Sequence, residues 1–367
     1  MSKRPTVGRS LTAMDPEHDA NRPDLHMGPA PRAGLDAHAD RSIWAARRRL
    51  TLAAPAMALL GTSAARAQSA WPSKPIRMIV GYTPGGYTDN MARAVGEPLS
   101  RALGQPVIFD YKPGANSIIA VDLMAKSQPD GYTLTTVIAA HSANPSLYAK
   151  LPFDVNNDIV PVALSGVAPL ILTANNSFPA NNSAELVAHV KANPGKYNFG
   201  SSGIGAAAHL AMEQFMLTHG LKMQLIPYKG TQPALTDLIG GQIQLLFDVP
   251  VTMNPHIKAG KIKTLGMASD KRLVGYPDIP TMGEGGVPFI ANTWAMVLAP
   301  KGTPREILVR LNTEINKILA SPEVRQKLES TGTVPGGGTL EETQAFLNAE
   351  IARNGKVVKA AGIKLEN

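Results

Sequence analysis

Cysteine is absent from all 367 residues. That excludes disulfides, thiolate metal sites and a cysteine nucleophile. Aromatic residues are scarce, at 5%, and charged ones make up only 17%. No basic run is interleaved with aromatics, so no nucleic-acid surface is encoded. The net charge of +8 does not alter this, because residues 1–67 carry 10 Lys+Arg against 6 Asp+Glu and hold half of the excess. No apolar run is long enough for a permanent membrane anchor. GxGxxG, GxxxxGK[ST], GxSxG and HExxH are all missing. Dinucleotide, P-loop, nucleophile-elbow and zincin chemistry therefore have no local signature. His141, His189, His209, His219 and His256 fall in no ligand cluster, so no metal or cofactor is expected.

What is present begins with an export signal. Arg47, Arg48 and Arg49 form a positive region, Leu50 to Leu60 an apolar one, and Ala65-Arg66-Ala67 a cleavage site. This is the pattern of a secretory signal peptide over 47–67, with a mature start at Gln68. The arginines before Leu50 are compatible with twin-arginine export, although Thr51 stands where that signal prefers a more apolar residue. Residues 1–46 show no hydrophobic period. Either translation starts after Met1, for instance at Met27, or they are a disordered extension. The remainder is expected to be a protein of the periplasm.

Beyond residue 70 strands and helices alternate. Ile76–Val80 reads as a strand, and Met91, Val95, Leu99 and Leu103 recur at helical spacing, with Pro98 expected to bend or end that helix. Val107–Phe109, a helix over 118–126 and a strand over 132–139 complete a βαβαβ unit. The apolar stretch 161–175 suits a crossing between lobes. A second α/β set follows: helices over 184–192, 206–218 and 234–240, with strands over 197–199, 225–226, 243–247 and 262–268. A strand over 293–299 and helices over 305–320 and 340–361 close the chain. The expected parts are a first lobe over 68–168 with a return segment over 290–367, and a second lobe over 169–289.

Two strand-to-helix loops are rich in glycine, one in each lobe. Pro84-Gly85-Gly86 precedes Thr88 and Asp89, and Gly200-Ser201-Ser202-Gly203-Ile204-Gly205 precedes the 206–218 helix. A helix start has unpaired N–H groups and the positive end of its dipole, and glycine lets a ligand approach the backbone. Either loop alone could be a plain turn with a capping side chain. Two of them, opposed across a cleft, point to a small anion. His141, Tyr228-Lys229 and Asp248 each follow a strand and should lie on the same rim. Trp294 reads as core.

These segments together resemble one family. WPSKPIRMIVGYTPGGYTDNMAR (71–93), KPGA (112–115), PDGYTL (129–134), FGSSGIGAAAHL (199–210), PYKGTQPALTDLIGGQI (227–243) and PTMGEGG (280–286) are similar to the solute receptors of tripartite tricarboxylate transporters, the Bug family of bacterial periplasmic binding proteins. The resemblance runs from Trp71 to the C-terminus. It implies a type II periplasmic binding fold: two lobes, each a helix-flanked, mostly parallel sheet, with the ligand cleft between them. It also implies a monomer that grips a ligand carboxylate, closes, and delivers it to a membrane transporter. Carried over by position, the ligand-binding residues are Tyr82, Gly85, Gly86 and Asp89 in the first loop, and Ser201, Ser202, Gly203 and Ala206 in the second. Tyr228, Lys229 and Asp248 sit on matching rim segments.

The chain departs from the family in two places. The usual loop is close to FPPGGPTD, and here Tyr82, Thr83 and Tyr87 replace proline or apolar residues. The usual KPGAGG is KPGANS, with Asn116 and Ser117 in place of glycines. The added tyrosines suggest an aromatic dicarboxylate such as terephthalate; an aliphatic di- or tricarboxylate is the other expectation. A sensor that reports its liganded state to a membrane partner, and an exported hydrolase using Ser201 or Ser202, are the alternatives to transport.

Overall fold

The computed structural model describes residues 71–365; the signal-peptide and upstream assignments lie outside the described residues. The first strand, β1 (Ile76–Val80), is apolar on nearly every position, as expected of a strand covered by helices on both faces. It is followed by α1 (Tyr87–Leu103), β2 (Val107–Tyr111), a 3-10 turn over Ala115–Ser117, α2 (Ile118–Ala125), β3 (Thr133–Ile138), α3 (Ala140–Leu147) and β4 (Ile159–Pro169). Next come β5 (Ile171–Asn175), α4 (Ser183–Ala192), β6 (Asn198–Ser201), α5 (Ala207–His219), β7 (Gln224–Pro227), α6 (Thr231–Ile239), β8 (Leu245–Asp248), α7 (Pro250–Lys258) and β9 (Ile262–Met267). The chain ends with β10 (Asn292–Pro300), α8 (Arg305–Ala320), α9 (Pro322–Ser330), β11 (Val334–Pro335) and α10 (Leu340–Ala360).

Two sheets result, ordered β11-β4-β10-β3-β1-β2 and β7-β6-β8-β5-β9. Each is mixed. In the first, β1 pairs in parallel with β2 and β3, while β10 runs antiparallel to β3 and β4. In the second, β6 is parallel to β7 and β8, and β5 is antiparallel to β8 and β9. The antiparallel half arises because the chain leaves the first sheet along β4 and comes back along β10. The crossing read at 161–175 is in fact two strands, β4 and β5, separated by Leu170. Leu170 N–H donates to Ala291 C=O at 2.9 Å, and Ala291 N–H to Ala268 C=O at 3.0 Å, so the outgoing and returning passages are bonded side by side.

Pro98 does not end its helix. α1 continues through it to Leu103 and stops at Gly104, whose φ of 68° closes a left-handed C-cap. Burial of Met91, Val95 and Leu99 against the first sheet outweighs the one lost backbone bond. Three helices had no clear period in the sequence: α3 and α7, which contain Pro145 and Pro255, and the short α9.

Candidate functional site

The carboxyl ends of β1 and β6 each feed a helix whose N-cap side makes no capping bond: α1 after Gly86, and α5 after Ala206. By helix geometry the amides of Tyr87, Thr88 and Asp89, and those of Ala207, Ala208 and His209, have no intrahelical acceptor. The first residue of each helix packs across to the other lobe. Tyr87 touches the cores of both sheets, and Ala207 likewise lies against the second-sheet core and a first-sheet core. The 3-10 turn joins the loops. Asn116 Nδ2 donates to Ile204 C=O at 3.1 Å, and Asn144 Nδ2 donates to Asn116 C=O at 3.1 Å. Gly81 is closed over by this turn: a Cβ there would lie 2.3 Å from Ser117 Oγ. A Cβ on Gly205, whose φ is 79°, would lie 2.2 Å from Leu147 Cδ1, so only glycine admits this approach.

In the first loop Asp89 works on the protein itself. Its Oδ2 accepts from Gly85 N–H at 2.7 Å, and its Oδ1 accepts from Tyr111 O–H at 2.6 Å and Arg93 Nε at 3.0 Å. Burial pushes this carboxyl up, but the bonds from Tyr111 and Gly85 and the Arg93 charge outweigh it and hold it below the usual range. Asp89 therefore shapes the loop, and the Gly85 amide is spent on it. Gly85 keeps a φ of 85° with open space around it. Gly86 is the N-cap, and Thr83 is exposed. Tyr82 is half-buried beside Ser117, and burial raises its phenol to about 12. Tyr87 is half-buried with its hydroxyl next to that of Thr333, and burial raises its phenol too.

The second loop is held by neutral groups. Ser201 Oγ donates to Gly203 C=O at 2.8 Å, and the Gly203 amide reaches back to it at 3.3 Å. His209 Nδ1 accepts from Gly205 N–H at 3.0 Å. Ser201 thus braces the loop, while Ser202 stays partly exposed with Ala206 at the helix start. The rim residues divide. Lys229 is exposed. Tyr228 turns away from the loop, its hydroxyl donating to Asp237 at 2.6 Å; burial, then that bond, raises its phenol to about 12. Asp248 is consumed by Thr231 at 2.7 Å, its neighbour Val249 N–H at 2.7 Å and Thr252 at 3.1 Å. It fastens the starts of α6 and α7. Burial still raises its carboxyl above the usual value. His141, 1% exposed, stacks on Phe153 with neither ring nitrogen partnered among the described residues; burial lowers it to about 4, so it is neutral.

Sequence reasoning missed Tyr111, Arg93, Asn116 and His209. Asn116 had one signal: it stands where the family carries glycine. Ala115, Asn116 and Ser117 have φ of 46°, 50° and 69°, three consecutive left-handed residues, each carrying a steric cost of about 1–2 kcal/mol. An open groove of about 510 Å³ lined by Tyr148, Leu151 and Phe153, and a small cavity of about 10 Å³ beside Ala207 and Arg353, include none of the loop glycines.

With this arrangement in view, the comparisons agree. The family described as "Tripartite tricarboxylate transporter family receptor" matches residues 91–363. BugT of Bordetella pertussis is 38% identical over 313 residues, spanning 84% of this chain and 96% of BugT. The R. palustris protein Rpa4515, solved with adipate, is 35% identical with a TM-score of 0.74, over 80% of this chain and 100% of that one. MatC of Rhodopseudomonas palustris, solved with bound malate, is 29% identical with a TM-score of 0.69, over 78% and 100%. Among the described residues no helix is long and apolar enough to cross a membrane. The chain belongs to the tripartite tricarboxylate transporter receptors, a family of periplasmic solute-binding proteins.

Proposed function

We propose that this chain is an exported receptor that closes over a small dicarboxylate and presents it, as a monomer, to the membrane subunits of a tripartite transporter. The observation that carries the reading is the pair of uncapped helix starts, α1 and α5, one per sheet, drawn together through Asn116 and Ile204. One carboxylate of the ligand lies between them. Fixed amide dipoles in a closed cleft act on it more strongly than they would in water. Export rests on the signal-peptide pattern at 47–67.

Adipate and malate in the two related structures are both dicarboxylates, which supports that class. Tyr82 and Tyr87, half-buried at the first loop, favour a flat ring among the acids tried, terephthalate included. The hydrolase alternative loses ground, because the Ser201 hydroxyl gives its hydrogen to Gly203 C=O. Among the described residues no imidazole is bonded to that hydroxyl to activate it.

The test is a thermal-shift panel of adipate, malate, citrate and terephthalate against their neutral amides, alongside mass spectrometry of acid released from the purified protein. A bound acid at a hundred times its Kd should add about 2.7 kcal/mol of stability, and its amide should add none. If no acid shifts the melting temperature, or acid and amide shift it equally, the carboxylate reading is wrong.

A further inference from the structure

We propose that the Lys229 ammonium receives the second carboxylate of the ligand, and so selects dicarboxylates over monocarboxylates. The inference rests on the carboxylate reading above and adds a selectivity to it.

Alternation along the β7 run decides where Lys229 points. Leu225 packs on the core that α5 covers, while Ile226 and Tyr228 pack on the core that α6 covers. Successive side chains of an extended run face opposite ways. Pairing with the second loop continues past the end of β7: Tyr228 N–H donates to Ser201 C=O at 2.9 Å, and Gly230 N–H to Ser202 C=O at 3.1 Å. Lys229, between those two bonds, therefore takes the α5 side, beside the loop that feeds the α5 start. The two loops are in contact, since a Cβ on Gly203 would lie 3.9 Å from Tyr228 C=O. Tyr228 itself is fixed the other way, by Asp237.

Lys229 is exposed and has no carboxylate within ion-pair distance among the described residues. The cations near the first loop and the 3-10 turn differ: Arg93 is paired with Asp89 and Glu97, and Lys112 with Asp110. The acids of the second lobe's rim are engaged as well. Asp237 takes the Tyr228 hydroxyl, Asp248 takes Thr231, Val249 and Thr252, and Glu213 lies 3.5 Å from His209 Nε2. Among the described residues Lys229 is thus a cation beside the α5 start with no partner of its own.

A second carboxylate needs such a group. Each helix start carries about half a positive charge, so α1 and α5 together offset about one carboxylate. A dicarboxylate closed into the cleft brings two, and an ionised group desolvated without a counter-charge is costly. Lysine answers this with a compact charge on a flexible stem, which can follow a carboxylate over ligands of different length. A monocarboxylate of the same shape leaves the ammonium unpaired and gains nothing from it. Discrimination of this kind comes from a contact that only one of two ligands can make.

The experiment is calorimetry on the purified protein with pairs in which a methyl group replaces one carboxylate: succinate and butyrate, adipate and hexanoate, terephthalate and 4-methylbenzoate. In whichever pair binds, the diacid should bind at least about tenfold more tightly, the worth of a hydrogen bond to a charged group. Lys229→Met should lower that preference about tenfold, and Lys229→Glu should lower it further. Lys229 is exposed, so both variants should fold, and their ligand-free melting temperatures check this. A wild-type ratio near one, a ratio unchanged in Lys229→Met, or equal losses in the two variants each overturn the role of Lys229 while leaving the carboxylate reading intact. If no member of any pair binds, the carboxylate reading fails first and this selectivity with it.

Discussion

The two helix starts facing the cleft are held open by opposite means. At α1 the work is ionic: Asp89 gathers Gly85 N–H, Tyr111 O–H and the Arg93 guanidinium. At α5 it is neutral and local: Ser201 braces Gly203, and His209 takes the Gly205 amide. Both devices draw off loop polar groups while leaving the first helical amides unpaired. An acidic side chain beside an anion site is thus no contradiction, because its charge is already matched by Arg93 and aimed at the loop. The comparison breaks if the two anchors prove interchangeable. Asp89→Ala should cost the most, about 3 kcal/mol in urea melts, since it strips three donors of their acceptor and leaves Arg93 only Tyr111 and Glu97. It should also weaken carboxylate binding well beyond any effect of His209→Ala, which takes one acceptor from the second loop and leaves the first loop intact. Equal losses in the two variants would dissolve the distinction.

A smaller effect probes the turn between the loops. Asn116 holds a left-handed conformation and reaches Ile204 across the cleft. Asn116→Ala keeps most of the strain and loses the bond. Asn116→Gly loses the bond but relieves the strain, by about 1 kcal/mol. Both should release ligand on the order of tenfold faster in stopped-flow traces, a change equivalent to one hydrogen bond of about 1.4 kcal/mol. The glycine variant should nevertheless melt above the alanine one. If neither variant changes the release rate, Asn116 is only a turn residue.

The two glycine loops and the strand-to-helix rhythm around them were legible because they are local patterns, repeated within a dozen residues. Local patterns failed where distant geometry decides. β4 and β5 looked like one apolar crossing, since only pairing with β10 and β9 distinguishes two strands from a linker. α3 and α7 were hidden by internal prolines. In the site, the loops and their helix starts could be read, but the partners of the polar residues could not. Asp89 meets Tyr111 across 22 positions, Thr231 meets Asp248 across 17, and Asn116 meets Ile204 across 88. A carboxylate next to a glycine loop looks the same in sequence whether it faces a ligand or its own backbone.

The smallest effect is one of sign, and it sets the ionic loop against the buried carboxylate on the second-lobe rim. Asp89 titrates below 3.8, because the Tyr111 and Gly85 bonds and Arg93 overcome the burial that opposes them. A depressed folded value gives stability that is present above the ordinary pKa and lost as pH falls through the folded one. Asp248 is the reverse. Burial raises it above 3.8 despite Thr231, Val249 and Thr252, so at neutral pH the fold bears part of the cost of a buried charge. That cost is relieved as pH falls through the raised value. The penalty of Asp248→Asn, measured by urea melts between pH 7 and pH 4, should therefore grow as acid is added. The penalty of Asp89→Asn should hold steady over that span and shrink only below it. Parallel pH profiles for the two variants would show that the two carboxylates carry the same kind of charge burial, whatever their bonding partners.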